Sequence, residues 1–199
     1  MISLKDIFSQ EVILEDDTAK LTPLKETDVA LLDEIAYHPR IWELGMSDIQ
    51  NKNDLAAYIQ TALNEREQFS SYPFLIFDKK SGAVAGSTRF GSISIPNKRV
   101  EIGWTWLHPK FHGTGLNKHC KFLLLRYAFE ELKVNRVEIK TDLLNMQSRI
   151  AILKIGATQE GIFRKHQVTS TGRERDSIFF SIINSDWADI RDRIFDGFS

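Results

Sequence analysis

Two glycines stand among basic and amide side chains in residues 110–117, which read KFHGTGLN. Glycine lets the backbone approach a ligand because no Cβ is in the way. If a helix begins just after Gly115, its first turn adds unpaired N–H groups and a partial positive charge, a combination that binds phosphate. The segment is therefore predicted to cradle an anionic group. The side chains that supply positive charge there, or the capacity for it, are Lys110, His112, Lys118 and Lys121.

The spacing of this segment separates three kinds of phosphate-binding loop. A P-loop places Lys and Ser or Thr directly after its last glycine, whereas Leu116 and Asn117 follow Gly115 here. A dinucleotide-binding fingerprint needs a third glycine at position 118, which is Lys118. A third pattern fits: a basic or amide residue, two spacers, glycine, one spacer, and glycine or alanine. Six residues alone are also compatible with an ordinary glycine-rich turn between a strand and a helix.

The third pattern resembles the acyl-CoA pyrophosphate loop of the GNAT superfamily of N-acetyltransferases. Further patches follow in the order found in that superfamily, among them AFEEL at residues 128–132 and RVEIKTD at residues 136–142. The whole string is similar to the RimJ/RimL-type branch, which includes ribosomal-protein N-terminal acetyltransferases. The resemblance covers residues 74–187. One departure is Lys110, because this position is more usually Arg or Gln in the family.

The resemblance implies one domain over residues 1–199, of the α/β class, with a central, mostly antiparallel twisted sheet flanked by helices on both faces. It implies transfer of an acetyl group from acetyl-CoA directly to a primary amine, without a covalent enzyme intermediate or a metal. The acceptor is either a protein N-terminal α-amine or a small-molecule amine, since fold and cofactor site do not determine it. A non-catalytic acyl-CoA-binding sensor or interaction domain on the same fold is the alternative. The cofactor-binding residues implied in the loop are Lys110, His112, Gly113, Thr114, Gly115, Leu116 and Asn117.

Glu101 is the candidate general base. A primary amine is mostly protonated at neutral pH, so its attack on a thioester needs a base, and a carboxylate can accept the proton directly or through water. Glu101 lies twelve residues before Gly113, which resembles the position of the general-base glutamate in other family members. The alternative is a structural carboxylate in an ion pair. The partners considered for that ion pair are Arg89, Arg99 and Arg136.

Three further contacts follow from the resemblance. The end of the strand after Glu101 diverges from its neighbour in this superfamily, and the backbone of Trp106, Leu107 and His108 is expected to hold the thioester and pantetheine. Ser148 matches a hydroxyl that protonates the leaving thiolate. Asn145 matches an asparagine that hydrogen-bonds the cofactor. Both polar residues also fit the beginning of a helix, as an N-cap and a first-turn residue.

The elements that position these residues alternate between strands and helices. Residues 99–107 are rich in β-branched and aromatic side chains, which predicts a strand that Pro109 ends. Alternation along it predicts one face with Glu101, Gly103 and Thr105 and another with Ile102, Trp104 and Trp106. The other predicted strands are residues 12–14, 19–23, 72–77, 83–95, 136–142, 157–165 and 178–183; the predicted helices are residues 25–38, 48–69, 116–132 and 145–154, with a loop at 40–49. The resemblance implies acceptor-binding residues in this loop, where Trp42 and Met46 are candidates for a substrate wall and core packing is the alternative for Trp42.

Bulk properties agree with a globular enzyme and argue against other classes. The chain has 199 residues, 42% hydrophobic and 27% charged, with a net charge of −1. That balance gives no field that would recruit nucleic acid. No apolar run has the length to span a membrane, and the acidic N-terminal segment does not resemble a signal peptide, so a cytoplasmic location is expected. Cys120 is expected to be a buried structural thiol. The apolar residues in 186–198 are expected to cover the core or a partner subunit in a homodimer.

Overall fold

An eight-stranded sheet forms the centre of the computed structural model, which describes residues 4–198. The strands are β1 Leu14–Glu15, β2 Ala19–Pro23, β3 Tyr72–Asp78, β4 Ala83–Ser94, β5 Arg99–Leu107, β6 Arg136–Asp142, β7 Thr158–Val168 and β8 Glu174–Ile183. Their order in the sheet is β1-β2-β3-β4-β5-β6-β8-β7. Every neighbouring pair is antiparallel except β5 and β6, which run parallel. The predicted mostly antiparallel sheet is confirmed.

Helices cover both faces of this sheet. Within residues 4–198 the α-helices are α1 Val29–Asp33, α2 Pro39–Trp42, α3 Lys52–Glu67, α4 Leu116–Arg126, α5 Met146–Lys154 and α6 Trp187–Ile194. One core joins α1 and α3 to Leu75, and the other joins α4, α5 and α6 to Phe74 and Ile76. Neighbouring residues of a strand point to opposite faces, so the two cores lie on opposite sides of β3. None of the helices in the described residues is both long and apolar enough to cross a membrane.

The last helix covers a core within the chain. Trp187, Ile190 and Phe195 are buried against residues of α4 and the sheet. This matches the first of the two roles predicted for the apolar segment at residues 186–198. A partner subunit stays a prediction.

Strands β5 and β6 separate before either strand ends. Their parallel pairing begins at Arg99 and Arg136 and reaches only to Glu101 and Glu138. Both strands then continue, and within the described residues no further pair joins them. A gap therefore opens in the sheet immediately after Glu101, as the family resemblance implied.

A β-bulge in β5 changes the predicted alternation of its side chains. The register against β4 shifts between the pair Arg89–Gly103 and the pair Ser87–Trp106. Trp104 lies in this interval with a φ of +49°, a conformation that bulky residues rarely adopt and that is compatible with a bulge. An extra residue in one strand reverses which face the following side chains point to.

The predicted faces of β5 are consequently wrong beyond Gly103. The Trp104 ring lies on the face of Glu101, because a Cβ built on Gly91, the cross-strand partner of Glu101, would come within 2.2 Å of that ring. Thr105 points to the opposite face, where its hydroxyl meets the side chain of Lys121 on α4. The bulge brings an aromatic ring to the gap and takes a threonine away from it.

The other predicted elements are confirmed with shifted bounds, except in the N-terminal part of the chain. The helix predicted over residues 25–38 is a 3₁₀ turn at Glu26–Asp28 followed by the five-residue α1. The short α2 lies partly within the predicted loop at residues 40–49, and Pro39 occupies its first position, where proline is favoured. The strand predicted over residues 12–14 is β1, which begins at Leu14.

Candidate active site

The turn between β5 and α4 has the shape of an anion cradle. After a 3₁₀ turn at Pro109–Phe111, Gly113 and Gly115 have φ angles of +76° and +92°. A Cβ built on either glycine meets nothing within 4 Å, so both positions border open space. Within residues 4–198, the amides of Gly113, Gly115 and Asn117 have no hydrogen-bond partner. These donors lie at the N-terminus of α4, where the helix dipole favours a negative charge.

Thr114 and Leu116, two other predicted loop residues, stabilise the conformation of this turn. The Thr114 hydroxyl donates to the Phe111 carbonyl at 2.8 Å and accepts from the Leu116 N–H at 3.3 Å. The Leu116 side chain is buried in the core beneath α4. Their side chains therefore hold the shape of the turn and leave the free amides to face outward.

Two of the four predicted basic side chains lie at the turn. Lys110 Nζ lies 4.8 Å from the centre of the Phe111 ring, and Lys110 is exposed. His112 Nε2 lies 3.1 Å from the carbonyl oxygen of Leu107, at the end of β5. Both side chains therefore lie beside the turn.

The other two basic side chains point elsewhere, so their predicted place beside the anion is wrong. Lys118 donates to the carbonyl of Ile194 at 2.9 Å, at the end of α6. Lys121 is buried and donates to Thr105 Oγ1 at 2.7 Å. Burial lowers the pKa of Lys121 from 10.5 to about 8, because loss of hydration disfavours the charged ammonium. Successive turns of α4 pack against the core and α6, and this packing determines where the two ammonium groups lie.

We expect Lys121→Met to stabilise the fold at pH 7. The unfolded chain binds the proton more tightly than the folded chain, so wild-type stability rises as pH increases from about 8 towards 10.5. The full shift corresponds to roughly 3 kcal/mol, and the advantage of the variant should shrink as pH approaches 10. Urea unfolding at pH 7, 8.5 and 10 measures this. Exposed Lys154 supplies a control substitution, Lys154→Met, and equal pH dependence in wild type and Lys121→Met would contradict the expectation.

Glu101 is buried where β5 leaves β6, with 4% of its surface exposed. Its Oε2 accepts from Lys140 Nζ at 2.8 Å and from Ser92 Oγ at 3.0 Å. Among the described residues Oε1 has no hydrogen-bond partner. A Cβ built on Gly103 would lie 3.0 Å from Oε1, so the glycine leaves room beside this oxygen. The carboxylate is ion-paired through one oxygen and free at the other.

The cation beside Glu101 differs from those considered from the sequence. Lys140 lies two residues after Glu138 on β6, so its side chain shares the face on which Glu101 lies. The three arginines are paired otherwise. Arg89 pairs with Glu65, and Arg99 and Arg136 both pair with Glu138.

The end of β5 offers one backbone amide to the gap. The His108 N–H donates to the Ala85 carbonyl at 2.9 Å, so the prediction that this amide is free is wrong. Alternation then directs the Trp106 N–H towards β4 as well, and the Leu107 N–H away from it. The Leu107 carbonyl indeed faces His112 rather than β4. The Trp106 side chain is buried in the core below α1 and α3.

Asn145 and Ser148 lie at the beginning of α5, across the gap. Asn145 Oδ1 accepts from the Ser148 N–H at 2.9 Å, so Asn145 is the N-cap of α5. Within the described residues, its amide nitrogen and the Ser148 hydroxyl have no hydrogen-bond partner. Ser148 is half-buried. Capping therefore uses only part of the Asn145 side chain and leaves polar groups for a ligand.

A cavity of about 350 Å³ borders the bulge of β5. Trp104 and Arg89 form the part of its wall that belongs to the sheet, and Tyr58 and Glu65 belong to α3. The remaining lining residues are Ser47, Asp48, Ile49, Asp54, Ala57 and Thr61. The family resemblance implied acceptor-binding residues in the loop at residues 40–49, which contains Ser47, Asp48 and Ile49. Sequence reasoning missed the lining residues on α3 and the sheet, where one local signal was arginine at position 89, within a strand of otherwise small and apolar residues.

The sequence of the chain matches a known family over most of its length. A family model described as an acetyltransferase (GNAT) domain matches residues 19–158. The chain belongs to the GNAT acetyltransferase family. This family match confirms the resemblance identified in the sequence. The gap between β5 and β6 and the glycine turn beside it are the features that the resemblance had implied.

Relatives agree with this assignment. The chain is 31% identical over 113 residues to "Putative ribosomal N-acetyltransferase YdaF" of Bacillus subtilis (strain 168), a match that covers 57% of this chain and 59% of that protein. The match thus spans less than two thirds of that relative's length. A GCN5-related N-acetyltransferase from Brucella melitensis has a TM-score of 0.81 at 25% identity, covering 92% of this chain and 83% of that one.

One structural neighbour resembles the GNAT fold of this chain at lower identity. It is an acetyl transferase from Salmonella typhimurium, described as modifying the N-terminal serine of 50S ribosomal subunit protein L7/L12. The TM-score is 0.75 at 23% identity, covering 86% of this chain and 99% of the neighbour. This likeness shows the shared fold.

Proposed function

We propose that this GNAT protein transfers an acetyl group from acetyl-CoA directly to a primary amine. The observation that carries the proposal is the position of Glu101. Its free oxygen, Oε1, lies where the sheet opens, and the same strand ends in the glycine turn with unpartnered amides. A proton acceptor and an anion site on one strand suit a reaction between a thioester and an amine.

The residues at the turn fit coenzyme A. Open space beside Gly113 and Gly115 allows a diphosphate to approach the main chain. The amides of Gly113, Gly115 and Asn117 would donate to it, and Lys110 and His112 would add charge. The Leu107 N–H would hold the pantetheine or the thioester carbonyl, where a donor stabilises developing negative charge. Asn145 would donate to the amides of the pantetheine.

Acetyl transfer needs one side chain that accepts a proton and one that donates a proton. Glu101 Oε1 accepts a proton from the acceptor amine, directly or through water, as the amide bond forms and the carbon–sulfur bond breaks. The Ser148 hydroxyl donates a proton to the departing thiolate and regains one from solvent, while Glu101 releases the amine proton to solvent. One proton leaves the amine and one joins the thiolate, so the thiol leaves neutral and both side chains return to their starting states. Acetyl-CoA supplies the activated acyl group for this transfer.

A protein N-terminal α-amine and a small-molecule amine are the two acceptor classes in this proposal. The names of related proteins favour the first, since they include a putative ribosomal N-acetyltransferase and an enzyme described as modifying an N-terminal serine. Fold alone does not determine an acceptor, so both classes belong in the test.

The test is release of free thiol from acetyl-CoA, measured with a panel of short peptides and small amines. We expect amine-dependent release together with coenzyme A binding by calorimetry. Assays without amine control for hydrolysis. Binding without release against the whole panel would instead support a non-catalytic acyl-CoA-binding domain, and absence of binding would refute both.

A further inference from the structure

Arg89 is a buried guanidinium whose hydrogen-bonding capacity is largely unused. It is 2% exposed, and its Nη1 donates to Glu65 at 2.9 Å. Its Nε is buried without a partner, and no described residue accepts a hydrogen bond from Nη2. Tyr58 and Trp104 cover the group, with ring centres 5.2 and 5.1 Å from its central carbon. A buried polar donor without a partner costs free energy, which a ligand oxygen could recover.

The cavity that Arg89 lines is otherwise negative. Its lining has three carboxylates, on Asp48, Asp54 and Glu65, against the single guanidinium. No ion pair in residues 4–198 involves Asp48 or Asp54; their bonds are to the amides of Gln50 and Asn51. A concave site with one sign of charge attracts the opposite sign. Within the described residues, no group of His, Cys, Asp or Glu is placed to hold a metal ion.

These two features together define a ligand. Arg89 calls for an oxygen acceptor, while the carboxylates repel a simple anion. An ammonium group with a carbonyl or carboxylate on the adjacent carbon satisfies both. We propose that this cavity selects an acceptor with an α-aminoacyl group, and that Arg89 determines this selectivity by donating to the carbonyl or carboxylate oxygen.

The position of the cavity connects this ligand to the proposed reaction. Trp104 belongs to its wall and also lies at the gap, 5.8 Å from Lys140 Nζ, the partner of Glu101. The Trp104 ring is therefore common to the cavity and to the surroundings of the proposed base, and the proposal places the acceptor amine beside this ring. The inference rests on the proposed function and narrows its acceptor: free amino acids and peptide N-termini carry the required carbonyl, whereas polyamines do not.

The experiment compares acceptors that differ only in the carbonyl. L-Alaninamide and isopropylamine share the amine and its methyl group. Rates are expressed per concentration of the ammonium form, because the cavity is proposed to bind that form and the two amines differ in basicity. We expect kcat/KM to be at least about tenfold higher for L-alaninamide, as for one hydrogen bond to a charged group. L-Alanine and an alanine tripeptide then distinguish the two sources of an α-aminoacyl group, a free amino acid and a peptide N-terminus.

Variants of Arg89 assign the preference to this side chain. Arg89→Met should bring the ratio close to one while coenzyme A affinity stays within about twofold, and Arg89→Lys should give an intermediate ratio because it lacks the planar fork. Arg99→Met is the matched control, since Arg99 also pairs with a carboxylate but lies outside the cavity. If Arg89→Met does not fold, the inference is tested by the kcat/KM ratio of the wild type and by the ratio measured for Arg89→Lys.

Two results would overturn the inference. One is a wild-type ratio near one, and the other is a ratio that both Arg89 variants leave unchanged. Acetyl transfer to amines without carbonyl preference would refute only this inference. Coenzyme A binding without transfer to any amine would refute the proposed function itself.

Discussion

Replacing Glu101 by Gln should lower kcat about 100- to 10,000-fold while the affinity for coenzyme A stays within about twofold. The amide keeps the size of the side chain and an oxygen to accept from Ser92, but it cannot take a proton from the amine. Coenzyme A contacts the turn and the gap in our proposal, and neither depends on the charge of this residue. Steady-state rates at saturating substrates, with calorimetry for binding, separate the two quantities.

The ion pair with Lys140 is the competing explanation for Glu101, and a control distinguishes it. Glu138 is the register partner of Glu101 on β6, and it is also ion-paired. If Glu101 serves only structure, Glu101→Gln and Glu138→Gln should lower stability and activity together. If Glu101 is the base, only the first variant loses turnover at equal folded fraction. Activity within threefold of wild type and an unchanged pH–rate profile in Glu101→Gln would remove it from catalysis.

Replacing Gly113 by Val should weaken coenzyme A binding at least about 100-fold. A β-branched residue is strained at φ +76°, which lowers the stability of the turn by an amount of order 1–3 kcal/mol and must be separated from the effect on binding. Its side chain also enters the open space that a diphosphate would occupy, since nothing in the described protein lies within 4 Å of that Cβ. Calorimetric titration with coenzyme A measures the loss.

The chain contains a matched control for the strain. Gly172 lies in the β7–β8 turn with φ +82°, and a Cβ there also meets nothing within 4 Å. Gly172→Val should therefore carry similar strain and leave coenzyme A binding unchanged. Tight binding by Gly113→Val would mean that the anion site lies elsewhere.

The features that the sequence determined by itself depend on neighbouring residues. Gly113 and Gly115 could be identified from the sequence because a turn with positive φ angles and space for a ligand favours glycine at those positions. β6 has the predicted bounds, and α5 begins after its predicted N-cap, Asn145, because strand propensity and capping act over a few residues. Cys120 is buried as predicted, and burial raises its pKa to about 12. The family could be identified for the same reason, since its motifs are short and consecutive.

Only the tertiary structure decided how separate segments meet. The bulge at Trp104 is defined by the shift in register between β5 and β4. This bulge places Thr105 on the face opposite to the predicted one. Lys121 looked like a phosphate ligand, but the packing of α4 buried it. Lys140 reaches Glu101 through the short parallel pairing of β5 and β6. Arg89 lines one cavity with Asp48 and Asp54 because α3 and the segment before it pack over the sheet. Alternation and propensity describe single segments, whereas register and packing depend on partners far away in the chain, so the charges and shape of the acceptor cavity could not be read from the sequence.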